Sequence, residues 1–212
     1  MYIVQRTLTF VRGFLLSYGP RSLKKAVWDK EFSGGKWDFI DKTASDCVYT
    51  HLETYARGGD ILDLGCGPGN TANELVETAY NTYTGIDISE SALEKARART
   101  EENGRSSKNS FAQSDFLGYQ PERRFDVILF RESLYHVPYG QVLPLLEKYA
   151  YALKPEGVFM VRLYRTDLSG NGKVKPRIER KLNLIRKNFA MVEERQYTDR
   201  GTSTVLVFRP RR

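Results

Sequence analysis

The chain has 212 residues, two cysteines and a net charge of +7. That length suits one domain able to bury about 70% of its unfolded surface, and Cys47 and Cys66 stand in no CxxC or Cys/His spacing, which excludes a disulfide framework and a zinc site. The basic groups Arg21 to Lys25, Arg177 to Lys187 and Arg209 to Arg212 are dispersed and read as solvated faces, so nucleic acid is an unfavoured partner.

The apolar run at Met1 to Gly19 is interrupted by Arg6 and Arg12 and has no small-residue cleavage site. It argues against a signal peptide and a membrane span, and for a reducing cytoplasmic home. Its helical-period face is expected to dock on the domain, with a membrane-surface helix as the alternative. An aromatic patch at Trp28 to Phe39 and a helical run at Ile40 to Tyr55 read as a lid and an outer helix.

From residue 58 onward, apolar β-rich runs alternate with amphipathic ones, the rhythm of βαβ units in a parallel sheet. Ile61 to Leu64 is the first strand. Thr71 to Ala79 is a helix, with Ala72, Leu75, Val76 and Ala79 on one face and a Thr71/Glu74 capping box. Tyr83 to Ile88 is the second strand, Ser91 and Glu94 cap a helix through Arg99, and a polar loop leads to a third strand at Ser110 to Gln113. Phe125 to Phe130 is the fourth strand, Gln141 to Leu153 a helix, and Lys154 to Gly157 a turn. Val158 to Tyr164 is the fifth strand and Arg177 to Asn188 a helix, and a hairpin around Asp199-Arg200-Gly201 makes the sheet end antiparallel.

The chemistry concentrates at strand ends. Asp63-Leu64-Gly65-Cys66-Gly67-Pro68-Gly69-Asn70-Thr71 joins the first strand to the first helix, where glycines let backbone approach a ligand at a helix N-terminus. Its GxGxG spacing carries Asn70 where the dinucleotide fingerprint wants glycine, and the chain has no Tyr-x-x-x-Lys pair, which disfavours a nicotinamide oxidoreductase. Gly34-Gly35-Lys36 is followed by Trp37, so a P-loop is excluded. Asp87, with Ile88 after it, ends the second strand, where a carboxylate accepts from both hydroxyls of a ribose. Ser114-Asp115-Phe116 after the third strand suits the edge of an adenine.

These segments, together with Phe125-Asp126-Val127-Ile128-Leu129-Phe130 and Leu153-Lys154-Pro155-Glu156-Gly157, resemble the successive motifs of class I S-adenosylmethionine-dependent methyltransferases. The resemblance runs from about residue 58 to 164. It implies an α/β three-layer sandwich with a seven-stranded, mostly parallel sheet in the order 3-2-1-4-5-7-6 and its last strand antiparallel. Residues 1–57 would be an N-terminal helical lid and residues 58–212 the S-adenosylmethionine-binding domain. Asp63 and Gly65 would lie near the methionine moiety, Asp87 on the ribose, and Asp115 with Phe116 at the adenine. Cys66, Gly67, Asn70, Thr71, Ile88, Ser114 and Arg131 complete the expected cofactor set, and Trp37, with Phe32 and Phe39, would close over it.

The fourth strand runs into Arg131-Glu132-Ser133-Leu134-Tyr135-His136, which the resemblance places beside the reactive methyl. His136 is the preferred base, with an orienting or packing role as the alternative. Glu132 is a candidate for a cationic amine or the cofactor's charged end. Arg131 is also a candidate for fixing a carboxylate, and Arg162 and Tyr164 for lining the acceptor pocket. His51 reads as structural. The DNA base-modifying motif and a catalytic cysteine are absent, so the expectation is methyl transfer to N or O of a small molecule. An RNA or protein methyltransferase and a non-catalytic S-adenosylmethionine-binding module are the alternatives.

Overall fold

The computed structural model describes residues 12–38, 43, 46–165, 176–198 and 202–211. Residues 12–18 are helical (α1), followed by α2 (Arg21–Ser33) and α3 (Val48–Ala56). Then come β1 (Gly59–Leu64), α4 (Asn70–Glu74), β2 (Tyr80–Asp87), α5 (Glu90–Glu102), β3 (Asn109–Gln113) and β4 (Phe125–Arg131). The order closes with α6 (Tyr139–Ala150), β5 (Leu153–Tyr164), α7 (Pro176–Asn188), β6 (Phe189–Tyr197) and β7 (Ser203–Pro210).

Among the described residues, the seven strands form one sheet in the expected order β3-β2-β1-β4-β5-β7-β6. All neighbours are parallel except β7, which runs antiparallel to β5 and β6. Successive residues of a strand point to opposite faces, and here both faces are covered. Ile61, Val127, Leu129 and Met160 pack with Val48 and Leu52 of α3. Leu62, Leu64, Ile128, Phe130 and Val161 pack with α6 and α7 through Leu145, Leu146, Leu182 and Ile185. Burial on both sides explains why the central strands are continuous apolar runs rather than alternating ones. The strand order reverses at β1, between β2 and β4, which opens a crevice at the carboxyl ends of these strands.

The segment before β1 leans on this frame. Helix α2 packs on α5, where Asp29 Oδ1 accepts from Ser89 Oγ at 2.8 Å and from the Ser91 N–H at 3.3 Å. In α1, Leu16 is buried whereas Phe14 and Tyr18 are exposed; the rest of the run from Met1, like Phe39 and the turn Asp199-Arg200-Gly201, lies outside the described residues. No helix among the described residues is long and apolar enough to cross a membrane.

Several local expectations are corrected. The helix expected over Thr71 to Ala79 ends at Glu74, and a 3-10 turn follows at Glu77–Ala79, leaving Val76 exposed. The Thr71/Glu74 box does not form, because the Glu74 carboxylate is taken by Thr43 and by the Tyr49 hydroxyl at 3.0 Å. Ser89, not Ser91, caps α5, accepting from the Ala92 N–H at 3.2 Å, and the helix runs on to Glu102. Helix α6 stops at Ala150, since the Ala152 carbonyl pairs with the Phe125 N–H and starts β5 at Leu153. Lys154 to Gly157 is therefore an irregularity inside β5, where pairing steps from Phe125–Leu153 to Val127–Val158. Of the outer helix expected over Ile40 to Tyr55, α3 begins at Val48, Thr43 and Asp46 are not helical, and residues 40–42, 44 and 45 lie outside the described residues.

Candidate active site

The crevice holds a cavity of about 430 Å³. The loop from β1 to α4 forms its floor. Gly65 has φ +87°, and a Cβ there would stand 2.5 Å from Ser133 Cβ, so only glycine fits between the β1 and β4 tips. The Gly67 N–H donates to Asp87 Oδ2 at 2.8 Å and the Ser89 N–H to Asp87 Oδ1 at 2.9 Å, which ties the loop to the end of β2. Burial raises the Asp87 carboxyl pKa, against these backbone donors. Each of its oxygens keeps a second lone pair for a ligand.

Asp63, at the end of β1, is buried; Oδ2 accepts from the Tyr83 hydroxyl at 2.6 Å, and Oδ1 has no partner among the described residues. Burial, only partly offset by Tyr83, pushes its pKa up to about 6. A buried carboxylate oxygen without a donor is costly unless a ligand supplies one. Cys66 is buried as a neutral thiol, its pKa raised by burial.

The tips of β4 and β5 carry a buried charge network that sequence reasoning did not assemble. Asp46 Oδ2 lies 2.9 Å from Arg131 and 3.3 Å from Arg162, and Arg162 also pairs with Glu132. Burial opposes the Asp46 charge, yet the two guanidiniums outweigh it and hold the carboxyl below its usual range. Arg131 further donates to the Tyr49 and Thr71 hydroxyls at 3.0 and 3.3 Å. Glu132 has φ +54°, an uncommon conformation for a residue with a side chain, and accepts from the Tyr164 N–H at 3.0 Å. Burial raises its pKa, with Arg162 pulling the other way.

The lid side is aromatic. Trp28 and Phe32 of α2 and Trp37 just beyond it face Tyr135 and His136 on the turn after β4. Glu31 fixes Trp37, accepting from its Nε1 at 3.0 Å, and also pairs with Arg12 and Lys36. Despite burial, those partners hold Glu31 down to about 2. Burial and then the charges of Arg12 and Lys181 push His136 down to about 3, so its imidazole is neutral. Lys181 of α7, expected on a solvated face, is instead buried, and it donates to the carbonyls of Leu134, Tyr135 and Val137 at 3.2, 2.8 and 2.6 Å.

Of the residues singled out from sequence, Trp37, Asp63, Gly65, Cys66, Gly67, Asn70 and Thr71 line this one cavity. So do Asp87, Ile88, Asp115, Phe116, Arg131, Glu132 and His136, together with Arg162 and Tyr164. Ser114 does not: its N–H is bound to the Asp87 carbonyl at 2.9 Å, and its hydroxyl turns to the Asp115 carbonyl at 3.4 Å. His51 bonds Tyr197 and Glu193 at 2.7 and 3.2 Å, away from the cavity. Asp46 gave no sequence signal. Trp28 was legible only as part of the lid patch.

This donor set fits S-adenosylmethionine. Asp63 offers an unfilled anionic acceptor to an ammonium, Asp87 offers acceptors for a diol, and the glycine loop brings bare backbone to the cavity wall.

Residues 61–157 match a family model described as a methyltransferase domain. Ubiquinone biosynthesis O-methyltransferase of Actinobacillus pleuropneumoniae is 39% identical over 114 residues, 51% of this chain and 47% of that protein. The chain spans about half or less of the length of the curated relatives it matches. Among solved structures, the Burkholderia thailandensis 1,6-didemethyltoxoflavin-N1-methyltransferase, bound to 1,6-didemethyltoxoflavin and S-adenosylhomocysteine, superposes with a TM-score of 0.68 at 19% identity. That match covers 89% of this chain and 87% of the other. The N-methyltransferase NodS from Bradyrhizobium japonicum WM9, in complex with S-adenosylhomocysteine, gives 0.66 at 20% identity, over 89% and 98%. Residues 61–157 thus resemble a methyltransferase domain, and the seven-stranded sheet around them has the fold of these solved methyltransferase structures.

Proposed function

We propose that the chain is an S-adenosylmethionine-dependent methyltransferase that methylates an N or O atom of a small molecule. The observation that carries this reading is the unpartnered Asp63 Oδ1, buried in the same cavity as Asp87 at the carboxyl edge of the sheet. When bound, the cofactor supplies an electrophilic methyl on a sulfonium, and the thioether leaves with the bonding electron pair.

The residues of this chain do the rest. Asp63 holds the ammonium, Asp87 the ribose hydroxyls, Asp115 and Phe116 the adenine, and Trp37 excludes water. Arg131, already neutralised by Asp46, stiffens the wall on which the acceptor lies. Glu132, whose pKa burial raises, receives the proton that the acceptor gives up. His136 is too weakly basic to drive that transfer and orients the acceptor as a neutral hydrogen-bonding ring. Alignment of the two reactants contributes about 7–11 kcal/mol of the rate enhancement.

We read residues 1–57 as part of the same unit, because α2 packs on α5 and α3 enters the core. Nucleic acid is disfavoured because part of the basic charge of α7 is taken up within the chain: Arg186 binds Glu179 and Glu194, and Lys181 is buried on backbone carbonyls. Free Cys47 and Cys66 suit the reducing cytoplasm. Calorimetry with S-adenosylhomocysteine tests the cofactor assignment, and absence of binding to the folded chain overturns it. Turnover of S-adenosylmethionine with a small-molecule panel separates an enzyme from a binding module.

A further inference from the structure

The cavity has two chemically different sides. Carboxylates and bare backbone face the glycine loop. Helix α2, Trp37 and the turn after β4 add a contiguous array of rings, whose Phe32 reaches the glycine loop itself: Trp28 lies 5.8 Å from Trp37, 6.0 Å from Phe32 and 5.1 Å from His136, and His136 lies 4.6 Å from Tyr135. Rings at such separations favour another flat ring, in stacked or edge contact, over a saturated one.

An aromatic pocket can also hold a cation, but this one is already supplied with positive charge. The Arg12 guanidinium stands 5.3 Å from the Trp28 ring and the Lys36 ammonium 5.8 Å from the Trp37 ring, the two cations sharing the single carboxylate of Glu31. Lys24 lines the cavity as well. The effect on a charge in this place is visible in His136, whose protonation is opposed by burial and by Arg12, Lys181 and Lys24, with Glu31 acting in its favour. On the strand side, Arg131 and Arg162 are balanced by Asp46 and Glu132. One donor there is unspent: Arg162 is buried, lines the cavity, and its Nε has no partner among the described residues.

We propose that the acceptor side of the cavity takes a flat, uncharged aromatic molecule bearing a hydroxyl, and discriminates against ammonium compounds. The rings hold the acceptor's faces and edges, and Arg162 Nε offers a donor to its oxygen. Methyl transfer then forms an O–C bond as the S–C bond breaks, with the electron pair kept by sulfur and the hydroxyl proton passing to Glu132. The inference rests on the methyltransferase reading and narrows its acceptor.

The test uses the full chain saturated with S-adenosylhomocysteine and measures binding of three probes by calorimetry: 2-naphthol, its saturated counterpart decahydro-2-naphthol, and 2-naphthylmethylamine, an ammonium at neutral pH. The expected result is 2-naphthol binding about tenfold or more tighter than either other probe, the gain expected from two or more ring contacts. In Trp28→Leu that still binds S-adenosylhomocysteine, the preference over the saturated alcohol shrinks to about twofold or less. Equal binding of the flat and saturated alcohols, tighter binding of the amine, or no binding of 2-naphthol overturns the inference while leaving cofactor binding intact. Failure of S-adenosylhomocysteine itself to bind overturns the methyltransferase reading, and this inference with it.

Discussion

The Tyr83 hydroxyl donates to Asp63 Oδ2 at 2.6 Å, and the other oxygen of that buried carboxyl receives nothing. One half of Asp63 is thus committed to the sheet and the other is buried beside the cavity without a donor. The consequence is a proton linked to cofactor binding. With a pKa pushed up to about 6, Asp63 keeps its proton below that pH and must ionise to accept an ammonium. S-adenosylhomocysteine affinity should therefore rise as pH rises through about 6, and Asp63→Asn should bind weakly with that dependence removed. For stability the sign is opposite. A carboxyl raised above its unfolded value binds more protons when folded, so its contribution falls as pH rises from its ordinary value of 3.8 to about 6. Calorimetry over this range checks the first, and urea denaturation of the ligand-free chain the second.

Asp87 accepts from two backbone N–H groups that shape the glycine loop. Asp87→Ala should weaken S-adenosylhomocysteine by about 10- to 100-fold, the worth of one charge-assisted hydrogen bond. It should also lower the melting temperature of the ligand-free chain, because both donors lose their acceptor. Unaltered affinity would remove Asp87 from the site.

His136 is held down to about 3. With the cofactor saturating, so that Asp63 does not contribute, the pH profile of kcat/KM for the acceptor should therefore show no inflection near the ordinary histidine value of about 6.5 that His136→Gln removes. His136→Gln, which keeps a neutral hydrogen-bonding group, should raise the acceptor KM and lower kcat by less than about tenfold, short of what loss of a general base costs. A rate limb near neutrality that disappears in this variant would restore His136 as the base.

Lys181→Met removes a donor from three carbonyls of the turn after β4, of which that of Leu134 keeps the Val137 N–H. The expected cost is about 1–3 kcal/mol of stability, read from the urea midpoint. Because the same turn carries Tyr135 and His136, turnover should fall further than cofactor affinity.

The sheet was legible because its signals are local: continuous apolar runs such as Phe125 to Phe130, and glycines where β1 must turn. What escaped depends on distant partners. Glu74 reads as a capping residue three positions after Thr71, but Tyr49 and Thr43 claim it across 25 and 31 residues. Asp46 becomes part of the site only because β4 and β5 lie side by side and bring Arg131 and Arg162 together. Nothing in its own neighbourhood in sequence announces that. Ser114 stands outside the cavity lining for a finer reason: its N–H is committed to β2 and its hydroxyl to the Asp115 carbonyl.

At the other rim of the sheet, Lys154 bridges Asp60 and Asp126 at 2.8 and 2.7 Å, and Asp126 also accepts from the Asp60 N–H at 2.7 Å. This clasp joins the starts of β1, β4 and β5, while every group assigned to chemistry stands at their finish. Selection for a new acceptor can therefore remodel the lid and the turn after β4 while the opposite seam keeps the strands aligned.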